Sequence, residues 1–179
     1  MTEIVNVSQD WAIGKQGQLF VNIPDDMKFF RKKTLNQVCI MGSRTLASFP
    51  RSAPLKNRIN IVLIDSPSKI DKNALEAAET DRSGGLSTEL IYVSSPSEAM
   101  NVAKRYPDKE TFVIGGASVY RLMLPFCDTC LVTHNDKSSE GADAFFPDLT
   151  ASGDWEMTET SGEYTYENVH FRFCTYKRR

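Results

Sequence analysis

The chain has 179 residues, 41% of them apolar, and 21 Lys and Arg set against 23 Asp and Glu give a formal charge of −2. That length buries a full core, the balanced charge offers no basic field for nucleic acid or an anionic membrane surface, and no apolar run reaches the roughly 18 residues of a membrane span. A small molecule is therefore the expected partner, with no nucleic acid and no membrane, and Met1-Thr2-Glu3-Ile4 lacks the charged and apolar regions of a leader. We expect a single domain over 1–179, cytoplasmic and monomeric.

Residues 4–7 read as a short apolar strand that Gln9-Asp10 ends. Ile13-Gly14-Lys15-Gln16-Gly17-Gln18-Leu19-Phe20-Val21 is glycine-broken and then apolar, which suits a mobile flap. Asn22-Ile23-Pro24-Asp25-Asp26-Met27-Lys28-Phe29-Phe30-Arg31 opens a helix. Pro24 fits its first position, where a missing N–H costs nothing. Asp25 and Asp26 fall where the helix dipole favours negative charge, and Met27 and Phe30 share a face. Val38-Cys39-Ile40-Met41 reads as a strand buried on both faces. Gly42-Ser43-Arg44-Thr45 then turns the chain into a short helix ending near Phe49-Pro50.

After a loop over 51–56, Arg58 precedes a second buried strand, Ile59-Asn60-Ile61-Val62-Leu63-Ile64, stopped by Asp65-Ser66-Pro67-Ser68. A weak helix over 73–79 and a mobile loop over 81–88 come next. Ile91-Tyr92-Val93 is a short strand, and Ser95-Pro96-Ser97-Glu98 is a capping box starting a helix that runs to about Arg105. Phe112-Val113-Ile114 is a strand, Gly115-Gly116 a turn, and 117–123 a helix ended before Pro125. Cys130-Leu131-Val132-Thr133-His134 is a further strand. Segments 155–160 and 169–177 form an antiparallel hairpin, with Val169, Phe171 and Phe173 on one side. The pattern predicts an α/β fold: a three-layer α/β/α domain with a mostly parallel central sheet and an antiparallel C-terminal edge hairpin.

The four cysteines, Cys39, Cys127, Cys130 and Cys174, read as reduced, buried thiols. Cys127-Asp128-Thr129-Cys130 has the spacing of a zinc half-site, but only His134 and His170 remain as further soft ligands, so no metal is expected. The turns at Gly42 and at Gly115-Gly116 each join a buried strand to a helix start, where open α/β sheets bind ligands. Neither is a GxGxxG or a GxxxxGK[ST], and a lone Gly-Gly serves equally as a plain tight turn. Two such turns with Arg44 at one of them suit a nucleotide with several phosphates. Asp26, beside Met27 and Phe30, is the best candidate for a carboxylate held in a drier pocket, although acids in first turns are also ordinary caps. The planar fork of Arg58 suits a ligand carboxylate, or simply a surface acid.

Together these segments resemble the dihydrofolate reductase family from Ile4 to Tyr176. The resemblance rests on Ala12-Ile13-Gly14-Lys15, Ile23-Pro24-Asp25-Asp26-Met27-Lys28-Phe29-Phe30, Ile40-Met41-Gly42 with Thr45, and Pro54-Leu55-Lys56-Asn57-Arg58-Ile59-Asn60-Ile61-Val62-Leu63. It continues through Phe112-Val113-Ile114-Gly115-Gly116-Ala117-Ser118-Val119-Tyr120, Leu124-Pro125, Leu131-Val132-Thr133-His134 and Asp143-Ala144-Phe145-Phe146-Pro147.

The resemblance implies reduction of 7,8-dihydrofolate to tetrahydrofolate by hydride from NADPH, with NADH as the alternative and antifolates as inhibitors. By the same token Asp26 binds the pteridine and assists protonation through water, with Thr133 supporting its carboxylate. Met27, Phe30, Phe49, Leu55 and Ile114 form an apolar sleeve for the substrate, Val5 and Asn6 its floor, and Arg58 holds the glutamate tail. Gly115, Gly116, Ser118 and Val119 form the pyrophosphate turn, where the family has a cis peptide between the glycines. Tyr120 lies at the nicotinamide side, touching both ligands. The flap residues Ile13, Gly14 and Leu19, the first turn Gly42, Ser43, Arg44 and Thr45, and the strand end Ile64-Asp65 complete the cofactor contacts.

Two departures stand out. The family's Leu-Pro-Trp is Leu19-Phe20-Val21 here, which alters flap closure and inhibitor fit. Where the family commonly holds the 2′-phosphate with a basic residue and Ser or Thr, this chain has Ser43 and Ile64-Asp65, and an acid there favours a free ribose hydroxyl. The competing readings are a riboflavin-pathway reductase of the same fold and a non-catalytic folate or nucleotide binder.

Overall fold

A computed structural model describes residues 1–179. The chain runs β1 (Thr2–Val7), β2 (Ala12–Lys15), β3 (Gln18–Leu19), α1 (Pro24–Thr34), β4 (Val38–Gly42), α2 (Ser43–Ser48), β5 (Ile59–Leu63), α3 (Lys72–Ser83) and β6 (Glu89–Val93). It continues through α4 (Pro96–Ala103), β7 (Thr111–Gly115), α5 (Ala117–Met123), β8 (Thr129–Asn135), β9 (Ala144–Phe145), β10 (Trp155–Thr160), β11 (Tyr164–Tyr166) and β12 (Val169–Arg178). The main sheet has the order β10-β12-β8-β1-β7-β4-β5-β6, with β11 added on β12. Its pairings are parallel from β8 to β6 and antiparallel around β12.

The apolar runs become central strands because both of their faces are covered. Alternate residues of β4 and β5 enter different clusters: Val38, Ile40, Ile59 and Ile61 join Ala99 and Val102 of α4 and Val119 and Met123 of α5. Cys39, Met41 and Val62 join Leu46 of α2 and Ala74 of α3. The three layers result from that alternation, as expected from the sequence. No helix is long and apolar enough to cross a membrane.

Three local expectations need correction. The helix expected over 73–79 runs Lys72–Ser83, because the Asp71 carboxylate accepts from Ala74 N at 3.1 Å and caps it, and three alanines favour it. The segment after this helix is a tied turn, not a mobile loop: Asn57 N donates to buried Thr88 Oγ1 at 2.9 Å and Ser87 N to Asn57 Oδ1 at 3.1 Å. At α4 the Ser95 hydroxyl accepts from Glu98 N, but Glu98 Oε2 accepts from Ser94 N at 2.7 Å instead of closing the box on Ser95. The flap is a hairpin of β2 and β3 turning at Gln16-Gly17, both at positive φ, and β9 completes a second, three-stranded sheet.

Glu3 is the outlier of the core. It is 0% exposed in β1, with neither carboxyl oxygen hydrogen-bonded. Burial pushes its pKa from the ordinary 4.5 to about 9, against the pull of Arg178. The folded chain therefore holds a proton that the unfolded chain releases. The associated stability is complete below about 4.5 and is lost as pH rises towards and through about 9. Glu3→Met, an apolar side chain of similar reach, is expected to remove this slope and raise stability at pH 8 by about 3 kcal/mol. Urea unfolding of both proteins at acid and alkaline pH checks it, and parallel pH profiles would refute it.

Candidate active site

Asp26 is placed by the start of α1. Ile23, the residue before the helix, is fully buried with Val169 and Phe171 of β12, and Pro24 comes after it at the first helical position. This anchor turns the first-turn residue Asp26 inward, leaving it 9% exposed, while Asp25 points outward to Lys28 at 3.1 Å. Inward of Asp26 lie Thr133 on β8 and Asn6 on β1, directly opposite each other in the parallel register. Burial raises the Asp26 pKa, and hydrogen bonding by the Thr133 and Asn6 side chains opposes the rise. Thr133 is itself 1% exposed.

The expected apolar sleeve is present in part. Phe49, Leu55, Ile64 and Ile114 pack together against the cluster of Met41, Leu46 and Val62. On α1, Met27 is 43% exposed and Phe30 half-buried, which leaves apolar surface uncovered. Val5 differs: neighbouring strand residues face opposite ways, so while Asn6 faces Asp26, the Val5 side chain belongs to the main core.

Arg58 is 6% exposed at the start of β5. Its Nη1 donates to Lys56 O at 2.7 Å and its Nη2 to Thr34 Oγ1 at 3.3 Å, while Nε is buried without a partner. A guanidinium has five N–H donors, so most of the fork remains unspent, as an anionic ligand requires. Burial lowers its pKa, the neighbouring Cys39 opposes this, and Arg31 adds to it, so a carboxylate arriving here relieves a crowded positive site.

The two glycine turns meet. Met41 pairs with Gly115 across β4 and β7. A Cβ on Gly42 would lie 3.1 Å from Val119 Cγ2, and one on Gly116 3.5 Å from Thr45 Oγ1. The peptide between Gly115 and Gly116 is cis. No side chain caps α2 or α5, so their first N–H groups are left for another acceptor. Ser43 and Thr45 are half-buried, and Arg44 and Ser118 exposed. Ile64 is half-buried and Asp65 exposed, with Lys69 Nζ 2.8 Å from Asp65. The Lys69 hydrogen bond and the nearby Arg44 charge hold the Asp65 carboxyl below its usual range.

Tyr120 sits deeper than expected. It is 4% exposed, donates its hydroxyl to Ile4 O at 2.7 Å, and lies beneath Gly115 and edge-on to Phe146. Ile13 and Gly14 are buried in the small sheet's β2, and Leu19 on β3 is 57% exposed. Sequence reasoning missed two residues. Asn135 faces the site two positions after Thr133, a period-2 signal that was available. Lys69 is four residues from Asp65, a spacing that brings opposite charges together within one turn of chain.

Glycine turns at the carboxyl ends of the parallel strands β4 and β7, with a buried carboxylate at the start of α1 and a buried arginine at the start of β5, define an α/β domain suited to a nucleotide and an anionic small molecule. The dihydrofolate reductase family model matches residues 1–178. A dihydrofolate reductase of Buchnera aphidicola from Baizongia pistaciae is 33% identical over 80% of this chain and 75% of its own length. The bifunctional dihydrofolate reductase-thymidylate synthase of Glycine max is 30% identical over 98% of this chain, which spans only 33% of that longer protein. Among solved structures, a dihydrofolate reductase of Enterococcus faecalis complexed with NADP(H) and RAB-propyl superposes with a TM-score of 0.79 at 26% identity, covering 99% of this chain and 95% of that one. The chain belongs to the dihydrofolate reductase family.

Proposed function

We propose that this chain is an NADPH-dependent dihydrofolate reductase, a cytoplasmic, monomeric, single-domain enzyme open to antifolate inhibition. The observation that carries the reading is Asp26: a buried carboxylate, supported by Thr133, at the ligand-binding ends of a parallel sheet. A carboxylate is an acceptor-only group with two oxygens, matched to the paired N–H donors on one edge of a pteridine. Its negative charge, little screened, favours protonation of the bound ring by water from solvent. Arg58 receives the glutamate carboxylate with its unspent N–H groups. Met27, Phe30, Phe49, Leu55 and Ile114 hold the flat rings, and Asn6 and the backbone at Val5 close the floor.

NADPH supplies the hydride. Gly42, Gly115 and Gly116 leave room for its pyrophosphate beside the uncapped starts of α2 and α5, with Ser43, Thr45, Ser118 and Val119 around them. Tyr120 supports that turn from beneath, and Ile13, Gly14 and Leu19 close from the flap, excluding water. For the 2′-phosphate, Arg44 and Lys69 against Asp65 leave one net positive charge beside Ile64, which favours NADPH over NADH.

Loss of nicotinamide absorbance in the presence of dihydrofolate tests the activity. Turnover with NADPH, at a lower KM than with NADH, is expected. Tight folate binding without turnover on either nicotinamide would make the chain a non-catalytic binder, and turnover only of a riboflavin precursor would make it that pathway's reductase. Lys69→Ala is expected to raise the KM for NADPH about tenfold and leave that for NADH unchanged. An unaltered ratio of the two would remove Lys69 from cofactor choice.

A further inference from the structure

β5 is an apolar strand interrupted by one polar residue. Asn60 is 0% exposed, lies between Cys39 of β4 and Leu90 of β6, and shares the face of Val62. A strand covered on both faces ordinarily carries apolar residues throughout, and an amide buried there needs partners for its polar atoms. Asn60 has them. Its Oδ1 accepts from Leu55 N at 3.0 Å, and its Nδ2 donates to Leu55 O at 2.9 Å, Glu89 O at 3.0 Å and Arg58 O at 3.1 Å. Only one orientation of the amide satisfies this set. Turned over, it would point its NH₂ at the Leu55 N–H and its oxygen at three carbonyls.

The partners matter more than their number. Leu55 belongs to the apolar sleeve, and its backbone N–H and C=O bond to nothing except the Asn60 side chain. The next carbonyl, Lys56 O, receives Arg58 Nη1 at 2.7 Å, so the clasp that fixes Leu55 also fixes one hold on the guanidinium. The second hold, Thr34 Oγ1 at 3.3 Å from Nη2, comes from α1 and is independent of Asn60. The outer side of the turn is tied at other atoms, Asn57 N to Thr88 Oγ1 and Lys56 Nζ to Asp81. Those ties leave the Leu55 backbone unheld.

We propose that Asn60 is a positioning residue that sets the preference for a substrate carrying an aromatic, carboxylate-ended tail: one buried amide holds Leu55, which meets the tail's ring, and Arg58, which meets its carboxylate, at a fixed spacing. The proposal rests on the reading of Arg58 as the group that receives the substrate's carboxylate.

A planar fork grips a carboxylate through paired N–H donors only where its plane and its distance from the rest of the ligand are held. Asn60 holds both through the backbone, from the 58 carbonyl on one side and from Leu55-Lys56 on the other. The pteridine is served elsewhere. Its carboxylate partner, Asp26, stands at the start of α1, and no hydrogen bond joins it to Asn60 or to the turn over 54–58. Loosening Asn60 therefore acts on the tail and spares the ring.

Steady-state reduction by NADPH of two substrates reads that difference: dihydrofolate, and 6-methyl-7,8-dihydropterin, the same ring without the tail. In Asn60→Ala the KM for dihydrofolate is expected to rise about tenfold with kcat kept, while kcat/KM for the tail-less ring stays at the parent's value. Asn60→Ser keeps a hydroxyl donor but reaches fewer partners, and a smaller fall in the same preference is expected. A preference equal to the parent's in both variants, whatever happens to the melting temperature, would overturn the proposal. An equal loss on both substrates would overturn it too, and leave Asn60 a purely structural residue. Should Asn60→Ala not fold, Asn60→Ser decides alone. Arg58→Leu is the reference, expected to lower the preference about a hundredfold. A preference intact in Arg58→Leu would remove Arg58 from the tail, and the proposal with it. A preference lowered there but intact in both Asn60 variants would overturn the proposal alone.

Discussion

Asp26→Asn is expected to lower turnover of dihydrofolate at neutral pH by roughly 10²- to 10³-fold while the protein stays folded. The substitution keeps the side chain's shape and removes its charge. It also places an NH₂ where the ring edge offers donors of its own, so one of two paired hydrogen bonds becomes a donor facing a donor. The fold has little to lose. Burial raises the Asp26 pKa, so the stability linked to its proton is complete below the ordinary 3.8 and is lost as pH rises through the folded value. Above that folded value the ionised carboxylate is thus a cost to folding, and Asn removes it. The variant should melt at the same temperature as the parent or higher, the relation expected where a site holds a group for chemistry at the expense of stability. Steady-state kinetics and thermal unfolding of one preparation read both effects. Loss of activity together with a collapsed melting temperature would make Asp26 structural.

The sequence discloses the parts of this architecture that local chemistry controls. Val38-Cys39-Ile40-Met41 and the run from Ile59 can only be buried strands, and Pro24 with two acids behind it marks a helix start to the residue. Asp26 is legible because charge and apolar neighbours meet within one turn. What escapes is decided at long range. Nothing local marks Glu3 for burial, yet β1 pairs with both β7 and β8 and so lies inside the sheet. The small sheet was hidden because β3 and β9 have two residues each, too short for any alternation to register. Tyr120 reads as a cleft residue until its hydroxyl is seen on Ile4 O, a partner 116 positions away. The Asn6–Asn135 pair spans 129 positions and has no local signature at all.

Gly115→Ala is expected to be the most damaging single methyl in the chain. Gly115 has φ of +105°, and its added Cβ would lie 2.8 Å from Tyr120 Cε2, 3.0 Å from Cζ and 3.2 Å from the hydroxyl oxygen. The ring cannot retreat without breaking its 2.7 Å hydrogen bond to Ile4 O and its edge contact with Phe146. The turn must move instead, carrying with it the start of α5 and the space left beside Gly42. We expect about 3 kcal/mol of lost stability and a KM for NADPH raised tenfold or more, with the KM for dihydrofolate less affected. Gly153→Ala is the control: φ there is +74°, but nothing lies within 4 Å of the new Cβ, so only the backbone term of about 1 kcal/mol remains. Trimming the obstacle should restore part of the loss, so Gly115→Ala with Tyr120→Leu is expected to be less destabilised than the sum of the single variants. Strict additivity in that cycle would place the damage in backbone conformation alone and release Tyr120 from its role beneath the turn.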